Sequence, residues 1–317
     1  MSSLQVDWKN PVTRRIIRSY IPDWILVVVM AAVFLGVDNI TPFRREFSLE
    51  DKTIMFSHSE KDSVPMWLVA IICCIVPIII IAILSLGLRR SLVDCHSGIL
   101  GLCVSLSMCA MLTTVIKVSV GRPRPDFIDR CQPPADASDP TFGLSNYTIC
   151  TTPADTHEMI DGFKSFPSGH SSFSFAGLSY LAFFLAGKMQ MFADELGRTY
   201  KGFLFSFPII GSLLVAISRT EDYRHHWHDV FIGSLLGLGC AYFAYRQYYP
   251  ALGRVTCATP FKARLDGFKG RATNLQVSDA PSQQPIYGTN NELPMVDQPL
   301  QSVNVSGGDY ITQHNVR

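Results

Sequence analysis

Three short polar stretches in this chain carry residue types suited to chemistry on phosphate. Ser218 to Asp229 reads SRTEDYRHHWHD, Pro167 to His170 reads PSGH, and Lys117 to Pro125 reads KVSVGRPRP. In the first, His225 and Asp229 stand at i and i+4, so at a helix start they share a face and the carboxylate can hold one imidazole nitrogen. The other nitrogen then points outward as a nucleophile or base. In the second, Pro167 and Gly169 shape a turn into a helix whose free N–H groups suit an anion, with His170 delivered beside them. In the third, Lys117 and Arg124 lie two turns apart on one helix face, but Gly121, Pro123 and Pro125 break the helix and let the arginines fold over its end. Arg219 adds a cation from the first stretch. Guanidinium forks match phosphate oxygens and stabilise the charge of a phosphoryl-transfer transition state. Taken singly, each cation also reads as a snorkelling side chain and His170 as a plain helix cap.

The run HHWHD has a second reading as a zinc site. Neighbouring helix positions diverge by about 100 degrees, so His225 and His226 do not easily share one ion, and no metal is expected. Trp227 reads as an interfacial anchor. Cys240 and Arg246 satisfy Cys-x5-Arg in number, but without the glycine-rich cradle of a thiolate phosphatase, and the DxDx(T/V) nucleophile of magnesium-dependent enzymes is missing. No cofactor is implied. A formal net charge of +1 over 317 residues leaves no basic surface for nucleic acid.

The elements that must position these clusters are membrane helices. Hydrophobic residues make up 48% of the chain and charged ones 17%, against roughly 25% charged in soluble domains. Uncharged runs at 24–37, 65–88, 97–116, 171–187, 202–218 and 230–245 predict an all-α, polytopic bundle of six transmembrane helices. All three polar clusters then emerge on one face, which makes a shared site possible. Residues 1–250 read as the membrane domain, and 251–317 as a polar, cytosolic tail with the composition of disorder. Six helices place both termini on one side. That side holds 16 Lys and Arg against 11 on the other, so the termini are expected in the cytosol and the clusters toward the lumen or exterior. Asn146-Tyr147-Thr148 is a glycosylation acceptor sequence in the long loop, where Cys131 and Cys150 can pair in an oxidising compartment.

These stretches resemble the motifs of the type 2 phosphatidic acid phosphatase (PAP2) superfamily. Lys117 to Pro125 fits K-x6-R-P, Pro167 to His170 fits PSGH, and Ser218 to Asp229 fits S-R-x5-H-x3-D, in that order. RPDFIDRCQP, DGFKSFPSGHSSFSFAGLSYL and SRTEDYRHH look like the fungal diacylglycerol pyrophosphate phosphatase branch of lipid phosphate phosphatases. The resemblance covers about residues 20–250 and not the tail. It implies that His225 attacks phosphorus to form a phosphohistidine, Asp229 orients it, and His170 protonates the leaving oxygen and later activates water. It also implies that Lys117, Arg124, Arg219, Ser168 and the Gly169 backbone hold the phosphate. Expected substrates are lipid phosphates in the bilayer: diacylglycerol pyrophosphate, phosphatidate and lysophosphatidate, in a vacuolar, Golgi or plasma membrane. Alternatives on the same fold are a sphingoid- or polyprenyl-phosphate phosphatase or a phosphotransferase. Outside catalysis stands a lipid or anion transporter. His226 and His228 match no motif position.

Overall fold

The computed structural model describes residues 11–261 except 60 and 194–197, with the side chains of 11–13, 15 and 16 also outside the description. The tail expected to be disordered lies outside the described residues from 262 onward. The described residues form six long helices: α1 (Pro11–Asp38), α2 (Met66–Leu88), α3 (Leu92–Val120), α4 (Gly169–Lys188), α5 (Thr199–Glu221) and α6 (Trp227–Tyr248). Among the described residues there is no strand, only an isolated bridge between Phe47 and Ser145.

Helix α1 starts well before the apolar run at Trp24. Pro11 suits a first helical position, and Arg14 and Arg18 conceal the opening turns from hydropathy. Helix α2 contains two π turns, Ile71–Ile75 and Ile83–Leu88. Pro77 has no N–H for the Cys73 carbonyl four residues earlier, and that carbonyl lies against Gly177 of α4, where a Cβ would collide with it. Helix α3 ends at Gly121, whose φ of 56° is left-handed and whose N–H returns to the Lys117 carbonyl at 3.3 Å. A Cβ there would strike the Phe43 carbonyl. The chain therefore turns sharply into Arg122-Pro123-Arg124-Pro125.

Among the described residues four helices are long and apolar enough to cross a membrane: Ile17–Asp38, Met66–Leu88, Leu92–Val120 and Thr199–Glu221. The sequence reading expected six. The other two, α4 and α6, pack on each other, and their contacts explain their lower apolarity. Ser171, Ser172, Ser174 and Ser179 of α4 are all buried. Ser105 Oγ donates to the Ala176 carbonyl at 2.9 Å, and Thr113 Oγ1 to Ser172 Oγ at 2.9 Å. Helix α6 lays Gly233 and Gly237 on α4: a Cβ on Gly233 would stand 2.7 Å from the Ser168 carbonyl, and one on Gly237 would overlap that of Ser172. Small residues four apart let two backbones approach in this way. Lipid-facing positions are large instead, with Phe203 and Phe207 of α5 more than 70% exposed.

A cap covers one end of the bundle. It is built from the segments 39–65 and 121–168, which include the short helical turns Phe127–Cys131 and His157–Gly162. Phe47, Ile54, Phe127, Cys131, Met159 and Phe163 form its own small core, and Cys131 is disulfide-bonded to Cys150. At the opposite end Lys188 pairs with buried Asp94, which also accepts from Tyr249 Oη at 3.0 Å.

Candidate active site

The cap end gathers the C-terminus of α3, the N-terminus of α4 and the α5–α6 turn, so residues far apart in sequence meet. Lys117 comes from the last turn of α3. A Cβ on Gly169 would lie 3.3 Å from its Nζ, so the ammonium sits over the Gly169 backbone at the start of α4. Among the described residues it has no hydrogen-bond or ion-pair partner. Ser168 caps α4, its hydroxyl accepting from Ser171 N at 3.4 Å, and it is fully buried. The next residue but one, His170, has a buried Nε2 without a partner and lies within electrostatic reach of Arg219, Asp62, Lys117 and Arg124.

Arg124 is fixed from three sides. Its Nε and Nη2 donate to the carbonyl and carboxylate of Asp161 at 2.8 and 2.6 Å, and Nη1 to the Arg224 carbonyl at 3.2 Å. Asp161 is shared with Arg130. Burial works to raise its pKa, but Arg124, Arg130, Lys117 and Arg224 outweigh it and hold the carboxyl well below the usual carboxylate range. Arg219, at the end of α5, bonds Ser218 Oγ at 3.1 Å and Asp222 at 2.8 Å. Its carbonyl accepts both Arg224 N and His225 N, at 3.1 and 3.2 Å. One tight turn, with Tyr223 at a φ of 53°, thus sets Arg219 and His225 relative to each other.

His225 does not meet Asp229 as its spacing predicts. Helix α6 begins at Trp227, so His225 precedes it and the i, i+4 relation does not apply. His225 Nδ1 is instead 2.7 Å from the Ser165 carbonyl. A carbonyl only accepts, so Nδ1 carries the proton and Nε2, without a partner among the described residues, carries the lone pair. Asp229 accepts from Ser165 Oγ at 2.5 Å, Arg122 Nη1 at 2.7 Å and His226 N at 3.1 Å, and lies 3.2 Å from His226 Nδ1. Its carbonyl takes Ser168 N at 3.0 Å. The carboxylate therefore grips the segment that carries the Ser165 carbonyl and reaches His225 through it. Burial pushes the His225 imidazole well below its ordinary pKa, and Arg124 and Lys117 add to this. It is neutral near pH 7.

All eight residues singled out by sequence as catalytic or phosphate-binding stand at this end of the bundle. Missed there were Ser165, Asp161, Arg122, Arg224, Asp62 and the capping role of His226. Ser165 lies two residues before PSGH and Arg122 within GRPRP, yet neither spacing signals its role, while Asp62 sits in an irregular loop and Asp161 in the short helical turn His157–Gly162. The three histidines diverge: His225 faces Ser165, His226 faces Asp229, and His228 packs on Trp227 with centroids 3.7 Å apart. Among the described residues no group of three His, Cys, Asp or Glu is placed to hold a metal. Cys240 is buried in α6, and Arg246 bonds the Tyr249 carbonyl. Asn146 is exposed, its amide oxygen accepting from Thr148 N at 2.9 Å.

The family model described as the PAP2 superfamily matches residues 98–252. Lipid phosphate phosphatase 1 of Arabidopsis thaliana is 40% identical over 228 residues, 72% of this chain and 68% of that protein. Lipid phosphate phosphatase 2 of the same plant is 36% identical over 74% of this chain and 78% of its own length. Diacylglycerol pyrophosphate phosphatase 1 of Saccharomyces cerevisiae is 36% identical over 77% of this chain and 83% of its own. No solved structure matches.

Proposed function

The chain belongs to the PAP2 superfamily, and from that premise we propose that it is an integral-membrane lipid phosphate phosphatase acting through a phosphohistidine. The observation that carries this reading is the held imidazole: Nδ1 of His225 on the Ser165 carbonyl, Nε2 unpartnered, with Lys117, Arg124 and Arg219 gathered at the same end. Nε2 of neutral His225 attacks phosphorus. The P–N bond forms as the P–O bond to the lipid breaks, and His170 gives its proton to the departing oxygen. His170 then takes a proton from water, whose oxygen attacks phosphorus, the P–N bond breaks, and inorganic phosphate leaves. Lys117, Arg124, Arg219, Ser168 and the Gly169 N–H hold the non-bridging oxygens. They supply positive charge where it builds, so the reaction runs without a metal.

Substrates are diacylglycerol pyrophosphate, cleaved to phosphatidate, and phosphatidate, cleaved to diacylglycerol, with lysophosphatidate as well. The similarity to plant and yeast enzymes so named supports this class. Six spans fit the six long helices, with both termini cytosolic and the cap, including a glycan on Asn146, toward the lumen or exterior. Residues 1–250 form the membrane domain, and 251–317 a cytosolic tail. A headgroup then reaches the site while its acyl chains stay in the bilayer.

The test is phosphate release from labelled lipid phosphates and pyrophosphates by detergent-solubilised protein with chelator present. His225→Ala should abolish release and the acid-labile, base-stable phosphoprotein trapped by rapid quench. Undiminished release by that variant would overturn the reading.

A further inference from the structure

Arg219 is only 1% exposed, and three groups surround its guanidinium. Ser218 Oγ takes Nε and Asp222 takes Nη2, while Nη1 lies 3.4 Å from Asp62 Oδ1. Asp222 is buried and tied to both the N–H and the hydroxyl of Ser63, so it belongs to the wall. Asp62 differs. Its side chain is 31% exposed, and it also pairs with Arg224 Nε at 3.1 Å and lies within electrostatic reach of His170. The open side of the phosphate-binding arginine is therefore covered by a carboxylate.

That carboxylate is held in place by its neighbours. The Ser59 carbonyl accepts Arg224 Nη2 at 2.7 Å, and the Phe56 ring stacks on Tyr223 with centroids 4.4 Å apart. With the Ser63 bonds to Asp222, these contacts fasten the segment around Asp62 to the turn that carries His225. Tethering gives Asp62 a high effective concentration at Arg219. A ligand must therefore offer the two arginines more charge than Asp62 does. A phosphodiester headgroup carries one negative charge and gains nothing by the exchange. A terminal phosphate carries about 1.5 to 2 near pH 7 and does gain.

We propose that Asp62 is a specificity-determining residue, a tethered anion that yields Arg219 and Arg224 to doubly charged terminal phosphates and withholds them from singly charged phosphodiester lipids. This rests on the phosphatase reading above.

The experiment measures phosphate release from phosphatidate in uncharged-detergent micelles, with phosphatidylglycerol, a singly charged diester, added to tenfold excess. The wild type and Asp62→Glu should be insensitive to the addition. Asp62→Asn, and Asp62→Ser as a second neutral variant, should show an apparent KM raised about fivefold or more, the scale of one partly exposed ion pair. An active wild type as sensitive as the neutral variants, or neutral variants as insensitive as the wild type, would overturn the proposal alone. A wild type that releases no phosphate would overturn the phosphatase reading and this proposal with it.

Discussion

Replacing Asp229 by asparagine separates two ways of orienting the nucleophile. If the carboxylate itself held the His225 imidazole, its neutralisation would free the ring to take the wrong tautomer. The same change in a serine-protease triad costs roughly 10⁴-fold in turnover. In this structure Nδ1 is held by the Ser165 carbonyl at 2.7 Å, and Asp229 acts on Ser165 Oγ and Arg122. Asparagine can still accept from Ser165 and from His226 N, and a backbone carbonyl keeps the proton on Nδ1. What is lost is one charge-assisted hydrogen bond, about 1.5–3 kcal/mol, which corresponds to roughly 10- to 100-fold. Arg122 is 27% exposed, so water takes up part of its lost pairing. The expected outcome is thus a fall in kcat for Asp229→Asn of about 10- to 100-fold with KM little changed. Ser165→Ala should fall less, and the double variant should lose no more than Asp229→Asn, because the two residues act through one contact. Phosphate release from phosphatidate in mixed micelles measures all three. A loss near 10⁴-fold for Asp229→Asn, with Ser165→Ala unaffected, would refute the indirect route.

His170→Ala should slow phosphatidate cleavage more than pyrophosphate cleavage, on the order of 10²- to 10⁴-fold for the former, since an alkoxide leaving group needs a proton more than a phosphate does. Equal losses on the two substrates in parallel rate assays count against it. Because burial and the nearby Arg124 and Lys117 depress the His225 pKa, kcat/KM should not fall as pH drops through about 6.5, and its acid limb should lie lower. Stability moves the other way. Below the ordinary histidine pKa the unfolded chain binds the proton first, and below the ordinary carboxylate pKa it does so for Asp161 too, so thermal midpoints should decline as pH falls through each window. Gly233→Ala should lower both thermal midpoint and kcat, as its methyl would meet the Ser168 carbonyl, while Gly239→Ala, with open space around it, should change neither.

The long apolar runs of α2 and α3 announce themselves because lipid selects side chains by simple hydropathy. The starts of α1 and α6 do not. Basic residues hide the first turns of α1, and the polar run ahead of α6 gives no sign that the helix waits until Trp227. That two-residue difference removes the inferred His225–Asp229 contact. The cations and histidines of the site were legible because their types and order are distinctive. Ser165 was not, since it acts through a backbone carbonyl that any residue possesses. Asp62 was not, since its partners Arg219 and Arg224 are distant in sequence and only the fold of the cap brings them together.

Asp229 has one more effect, which concerns the bilayer and not the substrate. Its side chain and its carbonyl take hold of Ser165 and Ser168, the residues on either side of the Phe166-Pro167 turn, and so key α6 to the start of α4 at the cap end. In the proposed membrane orientation, helices meet a thinner or thicker bilayer by tilting. The far ends of the same two helices are joined as well, since Lys188 and Tyr249 both reach Asp94, so the pair tilts as one body. Ser165 and Ser168 then move with α6, because Asp229 holds both. The grip that fixes the segment beside His225 is thereby also a fastening between two helices.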